Sequence, residues 1–462
     1  MTTATQLRDE IVGTVLEPGD ADYDRARAVW NGMIDRRPAL IVRAASTDDI
    51  APTVRRARTL GMRLAIRGGG HNVAGHGTVE GGLVLDLGAL DDVVVDATAR
   101  RVRVGPGATL GHVDRATEPH GLAVPIGVVG GTGMAGLTLG GGVGWLIRAH
   151  GLTVDNLLEA EVVTADGDTV RASESDHPDL FWGLRGGGGN FGVVSSFTYR
   201  AHPLGPAVLA GTFLYGADRW RDALRGWAAW GASAPDALTS IATFVVPPPE
   251  FELGDDPLML LGWAWAGDDR VAAERTLDAL RRAAQPEREI VEPVTWTAWQ
   301  SQADPLFPKG VRAYWKNTSF DRLDDATIEV IAGHAAEQTW RGTAFDIHQM
   351  GGAFGRVPAD ATPFPDRSAP YWLNIYGFWR DPADDAARVA FVRRFARAMR
   401  PLASGGQYVN FLGAEEGQDR PGASRAAALA VYGPEKLRRL ADVKRRYDPE
   451  NVFRLNQNIR PG

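Results

Sequence analysis

Apolar and polar positions alternate along this chain in two periods, and the period changes several times. Residues 21–34, ADYDRARAVWNGMI, carry apolar side chains at helical spacing and predict a helix. PALIVRA predicts a strand, STDDIAPTVRRARTLG a capped helix, and RLAIR a second strand. DDVVVDATARRVRVG predicts a hairpin. LGHVDRATEPHG predicts a short helix, and GLTVDNLLEAEVVTADGDTVRA further strands around an Asp-Gly turn. Near residue 205 the character shifts. Strand-like runs (LMLLGWAWAG, AFDIHQM, YWLNIYGFW) now sit among helical ones (DDRVAAERTLDALRRAA, DDAARVAFVRRFARAM). That alternation predicts a separate α+β lobe. Beyond residue 405 come YVNFLG, a helix around PEKLRRLADVKRRY, and the tail DPENVFRLNQNIRPG. No fixed-period repeat and no low-complexity segment interrupts the pattern.

Composition alters this picture at one residue type. Glycine makes up 55 of 462 residues, well above the usual ~7%. Thirty of them lie between Gly61 and Gly192, threaded through β-type runs. Glycine inside ordered structure marks tight turns or a close backbone approach to a ligand. Eleven of the fourteen tryptophans lie between Trp220 and Trp379, where core packing is their expected role. The net charge of −7 argues against a nucleic-acid partner, which a basic face would attract. The chain has no cysteine, so disulfides, thiolate metal sites, cysteine nucleophiles and cysteinyl cofactor links are excluded. The nine histidines show no metal-ligand spacing, and no metal is expected. The N-terminus lacks a signal-peptide pattern and no run spans a bilayer, so the expected location is cytoplasmic, as a monomer or homodimer.

The glycines raise the question of a nucleotide. G-x-G-x-x-G occurs twice, at Gly131, Gly133, Gly136 and at Gly187, Gly189, Gly192. The first has Asp155 about twenty residues on. A dinucleotide fingerprint must open a helix behind a strand. LTLGGGVGW after Gly136 reads as too glycine-rich for a helix, and VVSSFTYR after Gly192 reads as a strand. Successive backbone N–H groups bind pyrophosphate as a nest without a helix. RGGGHNVAG, residues 67–75, follows a strand and suits that role; a tight turn without ligand is the competing reading.

Five segments in order carry a resemblance: RGGGHNVAG, GGTGMAGLTLGGGVGWLIRAHGLTVDNL, LFWGLRGGGGNFGVV, YVNF and DPENVFRLNQNI. They resemble FAD-linked oxidoreductases of the vanillyl-alcohol-oxidase and p-cresol-methylhydroxylase type. More closely, the chain is similar to the bacterial berberine-bridge-enzyme-like branch. The resemblance implies an α+β fold with a two-lobed FAD-binding domain and an inserted substrate domain on a large antiparallel sheet covered by helices. The expected parts are residues 1–205 for the N-terminal FAD domain, 206–405 for the substrate domain, and 406–462 for a segment returning to the FAD domain. It further implies single covalent attachment of FAD through His71, because Val129 stands where many relatives place a second, cysteinyl link. A His71 that only hydrogen-bonds nearby is the alternative. The implied cofactor contacts are Arg67, Gly68, Gly69, Gly70, Asn72, Thr132, Gly133, Gly136, Gly141, Gly142, Asp155, Gly192, Val193 and Asn410.

The implied reaction moves a hydride from a substrate C–H next to OH or NH to flavin N5, with O2 restoring the flavin and yielding H2O2. A small-molecule substrate and O2 are then the expected partners. A flavin-dependent oxygenase or cyclase tailoring a polyketide-like compound is one alternative, and a flavin-binding protein without turnover is another. An oxidase of this type needs a base within reach of the substrate proton. Tyr408 matches the family's Tyr-x-Asn motif, and needs a depressed pKa to act; packing without proton transfer is its alternative. In AFDIHQM read as a strand, Asp346, His348 and Met350 share one face. The family positions for the base fall at Asp346, His348 and Gln349, and a solvated face is the competing reading. Tyr371 and Tyr376 are weaker pocket candidates.

Overall fold

The computed structural model describes residues 3–205, 207–413 and 423–462, with side chains from 425 in the last segment. The first part holds two larger sheets. Thr14–Leu16, Leu40–Arg43, Leu83–Asp86 and Leu64–Arg67 lie side by side in that order; the first pair is antiparallel and the rest are parallel. The helix Ile50–Thr59 connects two of these strands. A 3-10 turn over Thr47–Asp49 leads into it, and there the Ser46 hydroxyl and Asp49 carboxylate satisfy free backbone N–H groups as a capping box. The second sheet is antiparallel, in the order Val93–Asp96, Arg101–Val104, Val193–Arg200, Leu157–Val163, Thr169–Ser173. The predicted hairpin of DDVVVDATARRVRVG is present in it, and so are the strands around the Asp-Gly turn.

Seven antiparallel strands build the other large unit. Their order is Arg288–Val294, Val208–Tyr215, Leu258–Trp265, Leu238–Val246, Gly342–Gln349, Tyr371–Trp379, Arg312–Phe320. Helices Trp220–Gly231, Arg270–Ala284, Asp325–Ala336 and Asp385–Met399 cover one face and share the largest core cluster with it. The two-residue period of a strand sorts its side chains. Phe345, Ile347, Leu373 and Ile375 point into the helix-covered core, while Asp346, His348, Asn374 and Tyr376 point the other way. Trp227, Trp263 and most other tryptophans of this lobe are core, the role expected of them.

The C-terminal segment packs back on the first part. Leu440, Val443 and Ile459 join a cluster with Val102, Phe191 and Phe197. Lys444 is fully buried beside Asp448, at 2.6 Å, and also donates to the carbonyls of Asn190 and Phe453. Ile459 N–H donates to Asn190 Oδ1, and Asn456 Nδ2 to the Gly189 carbonyl. The tail thus clamps the GGGGN loop that precedes Gly192.

Two sequence expectations are corrected. The helix predicted over 21–34 covers only Tyr23–Arg27. Beyond it the backbone serves other partners: Trp30 N–H donates to the Gly70 carbonyl, Gly32 N–H to the Val311 carbonyl, and Gly310 N–H to the Trp30 carbonyl. Tertiary hydrogen bonds replace the helical ladder there. Conversely, LTLGGG does not abolish helix: Met134–Gly140 is helical and stops at Gly141, whose φ of +138° favours glycine. Its glycines serve packing, since a Cβ on Gly140 would lie 2.3 Å from Asn410 Oδ1.

Candidate flavin site

One long cleft, partly open to solvent, runs between the glycine-rich loops and the uncovered face of the seven-stranded sheet. Arg67 to Asn72, Thr132, Gly133, Gly136, Gly192 and Val193 line it on one side, with Val129 among them. The loops of Gly69 and Gly133 meet backbone to backbone: a Cβ on Gly69 would stand 2.5 Å from Gly133 Cα. Gly70 adopts φ +66°, a left-handed turn that glycine makes without strain. Among the described residues, the N–H groups of Gly68, Gly69, Gly70, His71 and Asn72 have no acceptor within the protein. Backbone donors left free in succession form an anion nest, and this row fits a pyrophosphate. Arg67 sits beneath the loop, donating to the Ala26 carbonyl and to Asp86 Oδ2, the latter at 2.9 Å.

His71 lies half-buried on the cleft wall, and its ring stacks on Trp30 with centroids 4.4 Å apart. Desolvation by the surrounding protein pushes its pKa down to about 4. The imidazole is therefore neutral at physiological pH and keeps a nitrogen lone pair. His76, which the sequence reading passed over, lines the same cleft; burial takes its pKa to about 4 too. Its place five residues after His71 in the same loop was the available signal. The tail residues from Phe453 to Gln457 also line the cleft.

Three predicted contacts stand behind the wall instead. Asp155 forms a paired ion bridge with Arg367, at 2.7 and 2.8 Å, and accepts from Leu152 N–H; it does not reach the cleft. Gly141 presses against Phe364, and Gly142 N–H donates to the Tyr408 hydroxyl at 2.9 Å. These positions shape the loop that carries Val143 to the cleft rather than lining it themselves.

The acid–base candidates gather on the opposite wall. Asp346 and His348 are buried, not on a solvated strand face, and both line the cleft. Asp346 is the hub: Tyr376 OH donates to it at 2.5 Å and Asn374 Nδ2 at 2.7 Å, and His348 Nε2 lies 3.1 Å from Oδ1. His348 Nδ1 has no protein partner. The register pairs Asp346 with Asn374 across the strands, which is why both reach one point. Burial, and next the Asp346 charge, push the Tyr376 phenol upward, so it remains a donor. Gln349 and Tyr371 face the helices instead: Gln349 accepts from Ser240 Oγ, and Tyr371 belongs to the core. Met350 is packed among Phe354, Phe364 and Trp372.

Tyr408 departs from expectation in its chemistry. Its phenol oxygen accepts from Gly142 N–H and from Asn410 Nδ2, each at 2.9 Å. Those donors favour the phenolate, yet burial outweighs them and raises the pKa to about 12. Asn410 is held in turn by the Leu137 carbonyl. Phe307, Trp315 and Phe411 complete an aromatic rim beside Tyr376 and Tyr408.

Residues 38–173 match the FAD binding domain model, and residues 407–460 match the model described as berberine and berberine like. Over 459 residues the chain is 31% identical to (R)-6-hydroxynicotine oxidase of Paenarthrobacter nicotinovorans, covering 98% of this chain and 97% of that one. The chain belongs to the berberine-bridge-enzyme-like FAD-linked oxidoreductases. The FAD-linked oxidoreductase YgaK of Bacillus subtilis is also 31% identical, over 98% of both chains. The crystal structure of 6-hydroxy-D-nicotine oxidase from Arthrobacter nicotinovorans superposes with a TM-score of 0.86 at 28% identity, over 98% of each chain. This enzyme thus shares its fold and its FAD dependence with oxidases along nearly its whole length. Among the described residues no helix is long and apolar enough to cross a membrane, and no group of three acidic or histidine side chains is placed to hold a metal.

Proposed function

We propose that this FAD-dependent enzyme is an oxidase whose flavin is attached once, through His71, and whose substrate loses its proton to the Asp346–His348 pair. When bound, FAD supplies the two-electron acceptor for a hydride from a C–H next to OH or NH, and O2 carries those electrons on to H2O2. The observation that carries the reading is the cleft: a row of free backbone donors around a neutral histidine on one wall, and a buried carboxylate–imidazole pair on the other. The glycine loops bind the pyrophosphate through Gly68 to Asn72. The sheet residues meet the substrate. A proton leaving a hydroxyl or amine passes to His348, whose Nε2 is oriented by Asp346 while Nδ1 has no other protein partner. Asn374 and Tyr376 fix the carboxylate by donating to both of its oxygens. Tyr408, protonated below about pH 12, positions Asn410 and the loop at Gly142 and does not take the proton. The aromatic rim sheds water from the reacting end of the cleft.

Anaerobic mixing with a panel of alcohols, sugars and aromatic amines tests this. At least one compound bleaches the flavin absorbance, and admitting air then restores it with release of peroxide. A protein whose flavin no compound reduces would be a flavin binder without turnover, and the proposal would fail.

A further inference from the structure

The imidazole of His71 has the cleft on one side and Trp30 on the other. Trp30 is 4% exposed and lies behind the loop, off the wall of the cleft. Its ring is stacked on His71 at an interplanar angle of 23°. The indole itself has little freedom. Its Nε1–H donates to the Phe307 carbonyl at 3.1 Å, and its backbone N–H to the Gly70 carbonyl at 3.0 Å, one residue before the histidine. Phe378 and Trp315 meet it edge-on from the substrate lobe, with centroids 5.9 and 6.2 Å away. Next to it, Asn31 Nδ2 donates to the Val73 carbonyl and the Ala313 carbonyl, and Asn31 Oδ1 accepts from Ala313 N–H. The short strap that holds Trp30 is therefore tied to the His71 loop on one side and to the sheet on the other. The indole N–H of Trp30 is thus anchored on the sheet lobe and its backbone N–H on the His71 loop, so the ring is held from both sides.

We propose that Trp30 is a positioning residue for flavin attachment: its fixed ring holds the His71 imidazole in one orientation against the cofactor cleft. This rests on His71 being the attachment residue. In that step one C–H of the flavin 8α-methyl group gives way to a C–N bond to the imidazole. The methyl hydrogen and the imidazole N–H hydrogen, with two electrons, are left on the flavin as its reduced form; O2 removes them as H2O2. Attack of a ring nitrogen at one carbon depends on ring orientation, and misplacement by about 1 Å costs roughly 10²-fold in such steps. A side chain that fixes the ring without touching the cofactor thus controls the rate of attachment and leaves affinity alone.

The test compares Trp30→Leu with Trp30→Phe, which retains a stacking ring. Each purified protein is incubated with excess FAD, sampled over time and precipitated in acid, and the flavin remaining on the polypeptide is quantified. Non-covalent FAD affinity is measured in the His71→Ala background, with and without Trp30→Leu. Attachment slows about 10- to 100-fold in Trp30→Leu and stays within a few-fold of the parent in Trp30→Phe. The FAD dissociation constant is the same for His71→Ala and the double variant. Should Trp30→Leu fail to accumulate, Trp30→Met keeps bulk without a ring and gives the same comparison. Parental attachment in Trp30→Leu or Trp30→Met overturns the proposal. So does a loss of FAD affinity in the double variant that matches the loss of rate, since Trp30 would then be plain structure. Covalent flavin persisting in His71→Ala would instead sink the attachment reading beneath it.

Discussion

His348 and Tyr408 present the sharpest contrast between what a residue type allows and what its surroundings permit. Tyr408 matches the Tyr-x-Asn motif of the resemblance, which made it one candidate base. Its burial against Phe364 and Trp372 raises the phenol to about pH 12, and the two donors on its oxygen do not compensate. The sequence supplied the residue but not the dielectric around it. Asp346 and His348 were legible as an odd pair on an apolar strand. Their partners Asn374 and Tyr376 come from a strand 28 and 30 positions on, and only the register joins them. The expected kinetics follow. Asp346→Asn and His348→Gln slow anaerobic flavin reduction by about 10²-fold or more. Tyr408→Phe, by stopped-flow under the same conditions, slows it by much less. A Tyr408→Phe defect larger than both others would return the base to the phenol. Val129 lines the cleft, and the resemblance places a thiol of many relatives at this position, so Val129→Cys is expected to give a second flavin link that peptide mapping detects beside the His71 peptide. A map showing flavin on the His71 peptide alone would mean that residue 129 cannot reach.

Among elements, the strands and their alternation were readable because period two survives tertiary packing: AFDIHQM and YWLNIYGFW divide into core and cleft faces as their patterns require. Local periodicity failed where long-range hydrogen bonds took the backbone. The segment after Arg27 has helical spacing, yet its N–H groups serve Gly70 and Val311, hundreds of residues apart in sequence position from each other. The helix at Met134–Gly140 failed the other way, since glycine content argued against it while close packing on Asn410 required glycine. The glycine loops make a testable element of their own. Gly69→Ala places a methyl 2.5 Å from Gly133 Cα, backbone against backbone, so the two loops must separate. In the His71→Ala background, where FAD stays dissociable, adding Gly69→Ala lowers FAD affinity, measured by fluorescence titration, by at least about tenfold, the equivalent of ~1.4 kcal/mol. Unchanged affinity would show that the cofactor does not depend on this contact.

At the scale of the whole molecule, charge burial gives the protein an acid limit. His76 and His202 both titrate near 4 in the fold, below the usual 6.5, because burial disfavours their charged forms. The unfolded chain therefore binds more protons between about pH 4 and 6.5, and stability rises with pH across that window. It is fully present above about 6.5 and is lost on acidification toward 4. The melting temperature of the holoprotein falls over this range, and less so in His202→Gln; a flat profile would contradict the burial of these rings. The two-part architecture, with a sheet lobe facing the glycine loops and a tail returning to clamp them, explains why the composition break near residue 205 was visible. It also explains why the cleft was not: its walls come from segments near 70, 130, 190, 346, 375 and 455, which no local pattern brings together. The chemistry of the cleft turns on what those walls hold at His71. Denaturing the purified protein in acid and viewing the polypeptide by in-gel fluorescence decides it most directly. We expect the flavin to stay on the band, to map to the peptide containing His71, and to leave the band in His71→Ala. A yellow supernatant over a dark band from the parent protein would contradict covalent attachment and the chemistry assigned to that histidine.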